Sequence, residues 1–323
     1  MEPLEPPPDA IAQSEVDAAR AVGRRVAANI ERAVKVRADV LQHVVVAMLA
    51  EGHILVEDYP GVGKTALARA LSRSIDCQFA RVQCTADLLP ADIVGTNVYN
   101  QREQRFEFRP GPIFANVVLV DEINRASPKT QSGLLECMQE RHVTVDVHSH
   151  ELARPFLVFA TQNPVEYEGT YPLPEAQVDR FMVRLELGYP DAAEESGMLA
   201  GHEAGDRVLD LQAVADRAEI LDAQEAAHRV HASQALRDYI VALLRHTRAD
   251  DRVELGASPR AGLMLLRAAK AHALLDGRDH ALPDDVQNLA QAVLAHRIML
   301  VPEAAATERA DVVADAIAAI PAL

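Results

Sequence analysis

Short apolar runs alternate with helical apolar spacing along the first 190 residues of the chain. A short unbroken apolar run is typical of a strand buried on both faces of a parallel sheet. Apolar residues that recur every three to four positions are typical of amphipathic helices, and they fill the segment 14–51 before the first run. The pattern therefore predicts an α/β domain with strands at 54–57, 79–84, 117–120, 156–160 and 182–187.

Two segments inside this region alternate instead between apolar and polar residues. This alternation, over 95–109 and 142–151, predicts two inserted β-hairpins. Short helices are expected in the same region at 85–89, where Thr85 could be the cap, and at 172–181. From residue 191 onward the strand patterns stop, and helices are expected at 192–203, 210–220, 233–247, 258–275, 283–297 and 305–319. We therefore expect three regions, which are a disordered tail at 1–13, an α/β domain at 14–190 and a helical domain at 191–323.

A glycine-containing loop joins the first predicted strand to the helix that follows it. The segment 58–65, DYPGVGKT, has the strand–loop–helix context of a phosphate-binding loop. Unpaired N–H groups at a helix N-terminus attract anions, and glycines let the backbone close around them. Lys64 would reach the β- and γ-phosphates, and the Thr65 hydroxyl would hold Mg²⁺. The expected nucleotide contacts are Asp58, Pro60, Gly61, Val62, Gly63, Lys64, Thr65 and Ala66.

The first position of this loop is Asp58, where the strict pattern has a glycine. Asp is one of the few other residues that adopt left-handed backbone conformations, so we expect the turn to form. The alternative is an ordinary strand–turn–helix connection in which Gly-x-Gly-Lys-Thr occurs by chance.

Polar residues follow the third and fourth predicted strands. Asp121 could hold the water shell of Mg²⁺, and Glu122 could polarise an attacking water. The alternative is a solvated acidic pair at a strand end. Asn163 follows the fourth strand, where open α/β sheets bind ligands, and it could orient the same water. Its alternative is a turn asparagine before Pro164.

The composition limits which classes of partner and which cellular compartment we expect for the protein. The chain has 323 residues and a formal net charge of −16, without the basic block that a nucleic-acid motor needs, so nucleic acid is an unfavoured partner. No apolar run approaches the ~18 residues of a membrane span, and the Pro- and Glu-rich start is unlike a signal peptide. We expect a cytoplasmic protein whose cysteines, Cys77, Cys84 and Cys137, are free thiols.

Two histidines, His148 and His150, would lie on one face of the second hairpin. Metal binding is conceivable there, but a solvated pair is the favoured interpretation.

Longer motifs narrow the function further. Segments 82–90, 111–114, 121–126, 160–164, 169–181 and 256–261 read VQCTADLLP, GPIF, DEINRA, ATQNP, GTYPLPEAQVDRF and GASPRA. With the phosphate loop they resemble the MoxR family of AAA+ ATPases over about residues 25–300. The resemblance implies a P-loop AAA+ core with a five-stranded parallel sheet flanked by helices, two β-hairpin inserts and a C-terminal α-helical lid domain.

The resemblance also implies roles for single residues. Asp121 would help to bind Mg²⁺, and Glu122 would activate water. Asn163 would act as sensor 1, and Arg260 as sensor 2, which reports the nucleotide to the lid. Arg180 would be the arginine finger that acts on nucleotide held by the neighbouring subunit. Considered alone, Arg180 could be an exposed cation at a helix end, and Arg260 could pair with a nearby acid.

Partners follow from the same resemblance. Members of the family assemble as rings, usually hexamers, and are thought to mature metal-containing or multisubunit enzymes, often with a von Willebrand factor A-domain protein. The sequence departs from the family at Val36-Arg37, where a Gly-Gln pair usually lies near the adenine. The second hairpin also lacks a turn glycine at 148–150.

Two alternatives to an ATP-driven chaperone stay open. One is a nucleotide-gated binding module with little turnover, because Asp58 adds negative charge near the phosphates. The other is a metal-chelatase-like motor subunit, because the same clade includes magnesium chelatase. Replacing Glu122 with Gln distinguishes an enzyme from a binding module, because it should abolish turnover in an enzyme and change little in a module. A chelatase-like subunit is distinguished only by identification of its partners.

Overall fold

The structure is a computed structural model that describes residues 11–59, 61–146, 148–163, 169–189, 207–304 and 306–322. Its strands, in chain order, are β1 (Ile54–Glu57), β2 (Phe79–Gln83), β3 (Gly95–Asn100), β4 (Arg105–Pro110), β5 (Val117–Asp121), β6 (His142–Val145), β7 (His148–Glu151), β8 (Leu157–Gln162), β9 (Val183–Leu185), β10 (Val253–Leu255) and β11 (Met299–Leu300). Its helices are α1 (Gln13–Ala33), α2 (Ala38–Leu49), α3 (Lys64–Ser74), α4 (Pro90–Val94), α5 (Pro128–Glu140), α6 (Glu175–Val178), α7 (Arg217–Arg229), α8 (Gln234–Ala249), α9 (Pro259–Leu275), α10 (Pro283–Leu294) and α11 (Arg309–Ala319).

Five strands form one parallel sheet in the order β2-β5-β8-β1-β9. The predicted α/β class and all five predicted strands are confirmed. Because the strands run in one direction, one end of the sheet carries all their carboxyl termini and the other all their amino termini. We call these the carboxyl end and the amino end of the sheet.

Both faces of this sheet are covered, which explains the unbroken apolar runs. One face packs against α1, α2 and α3 in a hydrophobic core that continues into the C-terminal helices. Gly23 of α1 lies so close to Leu275 of α9 that a Cβ on this glycine would meet the leucine Cδ2 at 2.2 Å. The opposite face packs against α5 in a second core. The N-terminal helices therefore join the sheet to the helical domain.

The two predicted hairpins are present as β3–β4 and β6–β7. They contact each other, since Asn97 Nδ2 donates to Asp146 Oδ2 at 2.6 Å and the His150 ring stacks on Phe108 with centroids 4.0 Å apart. His150 therefore has a packing role, and His148 is exposed beside it.

Several predicted helix bounds need correction. The segment 85–89 is a turn, and α4 begins only at Pro90. The helix expected over 172–181 is reduced to the four residues of α6, because two prolines precede it. The helix expected at 210–220 is replaced by α7, which begins only at Arg217. The Asp216 side chain caps this helix by accepting the N–H of Glu219.

The helical domain also contains a short antiparallel pair, β10–β11, that the sequence pattern missed. These strands have only two and three residues, which is too short for alternation to be recognised. The helix predicted at 192–203 and the loop residue Pro60 lie outside the described residues. Of the predicted tail only 11–13 are described, and Ile11 is buried. No helix in the described ranges combines the length and apolar character that a membrane crossing needs.

Candidate active site

The phosphate loop lies at the carboxyl end of the sheet, between β1 and α3. Gly61 and Gly63 have φ values of 87° and 93°, in the left-handed region that favours glycine. A Cβ built on either glycine would have no atom within 4 Å, so the loop borders an open cradle. Gly63 caps α3 without a side-chain hydrogen bond, which leaves the first N–H groups of α3 available for an anion. This backbone fits a bound phosphate group.

Asp58 supports this loop through its carboxylate. The side chain is buried; Oδ1 accepts the N–H of Tyr59 and Oδ2 accepts the N–H of Gly188, both at 2.8 Å. Asp58 is not among the residues with positive φ, so a left-handed conformation does not explain its place in the loop. Its carboxylate instead ties the start of the loop to the chain that follows β9.

Replacing Asp58 with alanine is expected to destabilise the fold by about 1–3 kcal/mol, because two N–H groups lose their buried acceptor. Urea unfolding followed by circular dichroism measures the loss. The Asp58→Asn variant is the matched control, since it keeps one oxygen acceptor and should lose less. An alanine variant as stable as the wild type would contradict this role.

Lys64 is oriented by the loop itself. Its Nζ donates to the main-chain oxygen of Asp58 at 2.8 Å. Burial lowers the pKa of the Lys64 ammonium, and the carboxylates of Asp58, Asp121 and Glu122 act in the opposite direction. The ammonium therefore lies between the loop and the acidic pair, where a phosphate could replace the carbonyl contact.

Asp121, at the end of β5, is buried and engages two side chains from neighbouring strands. Its Oδ2 accepts from Arg81 Nε at 2.6 Å, and its Oδ1 accepts from the Thr161 hydroxyl at 3.2 Å. The Asp121 carboxylate and the Thr65 hydroxyl are hard oxygen donors of the kind that Mg²⁺ prefers, so the residues fit this ion. A metal at Asp121 would have to compete with the guanidinium of Arg81.

Glu122 has φ 56° and ψ 50°, a left-handed conformation that is uncommon for a residue other than glycine. Its N–H donates to Thr161 Oγ1 at 3.0 Å, which holds the turned backbone. The carboxylate accepts from Gln83 Nε2 and pairs with Arg125 Nε, each at 3.0 Å. Backbone strain of this kind is concentrated at functional sites, and here it turns the Glu122 carboxylate toward β2.

Asn163 follows β8 directly and is half-buried at the carboxyl end of the sheet. The structure therefore brings the phosphate loop, the acidic pair and Asn163 to one end of the sheet, as the sequence predicts.

Arg180 lies at the opposite, amino end of the sheet. The N–H of Met182, two residues later, donates to the oxygen of His53, which precedes β1. His53 Nε2 lies 3.0 Å from the oxygen of Met138, so the last turn of α5 is also at the amino end. The structure thus separates Arg180 from the phosphate loop of its own chain by the length of the strands.

Arg260 lies at this amino end too. Its Nη2 donates to Gln139 Oε1, in the last turn of α5, at 3.4 Å. The structure does not bring Arg260 to the phosphate loop of its own chain. The predicted sensor 2 role is therefore compatible with this geometry only if Arg260 meets nucleotide held by another subunit.

Some residues at the site were missed by sequence reasoning. Arg81 and Gln83 on β2 reach the acidic pair only because β2 lies beside β5, and no local pattern reveals that pairing. Tyr59 and Tyr189 stack with centroids 5.5 Å apart beside the phosphate loop, and both rings are exposed. The sequence signal for this pair was the position of Tyr59 beside the glycines of the phosphate loop.

A separate acidic cluster is explained without a metal. His272, Asp276 and Asp285 place possible ligand atoms within 4.8 Å of one another. Asp285, however, accepts from both terminal nitrogens of Arg278 and from the N–H of Leu282. These contacts are those of a buried ion pair and a helix cap.

Comparisons with known proteins agree with this geometry. Residues 53–183 match the family described as "ATPase family associated with various cellular activities (AAA)", and residues 245–317 match the AAA lid domain. The chain is 40% identical over 288 residues to the chaperone MoxR1 of Mycobacterium tuberculosis, covering 86% of this chain and 76% of that one. The chain belongs to the MoxR family of AAA+ ATPases.

Two further proteins extend the similarity. The protein YeaC of Bacillus subtilis is 52% identical over 258 residues, which cover 80% of this chain and 81% of YeaC. A crystal structure of a candidate ATPase from Cytophaga hutchinsonii superimposes with a TM-score of 0.88 at 36% identity, covering 96% of this chain and 97% of that one. The fold of that ATPase is therefore shared over nearly the whole chain.

Proposed function

We propose that this chain hydrolyses ATP with Mg²⁺, and that each active site is completed by the neighbouring subunit of a ring. The observation that carries the proposal is the separation of the functional groups. The loop and acidic pair lie at the carboxyl end of the sheet, whereas Arg180 and Arg260 lie at the amino end. Two ends that complement each other make a head-to-tail contact, which closes into a ring when the rotation permits.

At the carboxyl end of the sheet, residues of one chain would have separate roles in ATP binding and hydrolysis. Lys64 would contact the β- and γ-phosphates, and Thr65 with Asp121 would hold Mg²⁺, which neutralises phosphate charge when bound. The Glu122 carboxylate would accept the proton of the attacking water, which Asn163 would orient. The neighbour's Arg180 would stabilise charge on the transferred phosphoryl group, and its Arg260 would contact the phosphates.

We further infer that the ring is a hexamer that remodels or matures a partner protein complex, with a von Willebrand factor A-domain protein as a second partner. The chaperone name of the M. tuberculosis relative supports this use of ATP. The β3–β4 hairpin carries an exposed pair of aromatic rings, Tyr99 and Phe106, with centroids 5.3 Å apart. Exposed aromatic side chains of this kind support a protein partner at the hairpin.

Phosphate release by the purified chain, with and without Mg²⁺, tests the proposed activity. We expect release that needs Mg²⁺ and is lost in Lys64→Ala, because Lys64 is the cation that would contact the β- and γ-phosphates. Lys35→Ala, a lysine outside the site, should keep the wild-type rate. Release that persists without Mg²⁺ or in Lys64→Ala would contradict the proposal.

A further inference from the structure

Arg297 of the helical domain is hydrogen-bonded to the segment that carries Arg180. The Arg297 side chain is 2% exposed, and its Nε donates to Asp179 Oδ1 at 2.7 Å. Its Nη2 donates to the main-chain oxygens of Asp179 at 3.3 Å and Phe181 at 2.5 Å, and its Nη1 donates to that of Met182 at 3.3 Å. One guanidinium therefore binds the residue before Arg180 and the two residues after it.

Two other residues of the helical domain reach the same segment. The Ser258 hydroxyl donates to both carboxylate oxygens of Asp179 at 3.1 Å, and it also accepts the N–H of Ala261 as the cap of α9. His296 Nε2 lies 3.2 Å from the oxygen of Phe181. The start of α9 and the turn after α10 thus converge on the residues that flank Arg180.

Among the described residues, no hydrogen bond comparable to those of Arg297 supports the Arg180 side chain. Its Nε atom is buried and has no hydrogen-bond partner among the described residues. Its main-chain N–H donates to the oxygen of Gln177 at 3.1 Å. The direction of the Arg180 side chain therefore depends on the backbone that Arg297 holds.

We propose that Arg297 is a positioning residue for Arg180, and that through it the helical domain of one subunit controls hydrolysis in the next. This inference rests on the proposed function, in which Arg180 acts on nucleotide held by the neighbouring subunit. A planar guanidinium with several donors suits the task, because it fixes three carbonyls and a carboxylate at once. Any shift of the turn 295–297 would move the backbone of Arg180 with it.

Replacing Arg297 with methionine is expected to lower kcat about 100-fold, the usual effect of misplacing a catalytic group by about 1 Å. The KM for ATP and the affinity for a fluorescent ATP analogue should stay unchanged, because the phosphate loop of the variant is intact. Arg252→Met is the matched control, since the partners of Arg252 are Asp250 and Asp315 within the helical domain. That control should keep the wild-type kcat.

Mixed rings test whether the defect lies in positioning rather than in the fold. Equal amounts of Arg297→Met and Glu122→Gln subunits should recover about one quarter of the wild-type rate. Half of the subunits keep Glu122, and about half of these face a Glu122→Gln neighbour, in which Arg180 and Arg297 are both unchanged. A variant that merely misfolds would give no such recovery. If Arg297→Met does not assemble, Arg297→Lys, which keeps the charge but loses the fork, takes its place in the same mixture.

The same mixture made with Arg180→Ala distinguishes the role of Arg297 from the action of Arg180 between subunits. Recovery with both Arg180→Ala and the Arg297 variant supports the inference. Recovery with Arg180→Ala but not with the Arg297 variant, or an unchanged kcat for Arg297→Met, overturns the inference alone. No recovery with Arg180→Ala overturns the proposed action between subunits, and the role of Arg297 with it.

Discussion

Replacing Arg180 with alanine is expected to lower the rate of ATP hydrolysis by about 10³–10⁵-fold while ATP binding stays intact. This loss corresponds to about 4–7 kcal/mol of barrier, the stabilisation that an arginine supplies to a transferring phosphoryl group. Binding should persist because Arg180 lies at the amino end of the sheet, away from the phosphate loop of its own chain. Phosphate release and the affinity for a fluorescent ATP analogue measure the two quantities separately.

The control for this variant is Arg245→Ala, an exposed arginine on α8 that should keep the wild-type rate. Arg180→Lys should also lose most activity, because lysine keeps the charge but not the planar fork. Wild-type turnover in Arg180→Ala would show that Arg180 is only a cation at the surface.

Replacing Glu122 with glutamine should reduce hydrolysis by at least about 10²–10⁴-fold and leave ATP bound. Glutamine has nearly the same shape but cannot accept the proton of the attacking water. The main-chain N–H of Glu122 still donates to Thr161 Oγ1 in the variant, so the left-handed turn should survive, and Gln83 can still donate to the amide oxygen. Retention of radiolabelled ATP after gel filtration, together with phosphate release, checks both parts.

Glu225→Gln, on the exposed side of α7, is the matched control and should behave as the wild type. If Glu122→Gln changed neither the rate nor the retention of ATP, the chain would be a nucleotide-gated binding module rather than an enzyme.

Local sequence patterns predicted most of the sheet and the strand–loop–helix geometry around the phosphate loop. The residues of β1 are those of the apolar run before the loop, and both hairpins follow the predicted alternation. These elements were predictable because their signals lie within a few neighbouring residues. The same holds for Asp121, which ends a buried strand, and for Glu122, which follows it.

Contacts between distant segments were not predictable in this way. Asp58 was expected to act through its backbone, yet its carboxylate binds Gly188, 130 positions away. Arg81 and Thr161 reach Asp121 through the order of the strands, and Arg297 reaches Asp179 across the join between two domains. A single sequence carries no spacing rule for such contacts, so only the fold reveals them.

The most direct test of a site shared between subunits is the rate of Mg²⁺-dependent ATP hydrolysis per subunit, measured over a wide range of protein concentrations. If each site is completed by a neighbour, the rate per subunit rises with concentration and then levels off as rings fill, and the rise is absent in Arg180→Ala. A substantial rate that does not change with concentration, from a chain that sedimentation shows to be monomeric, would contradict a shared site.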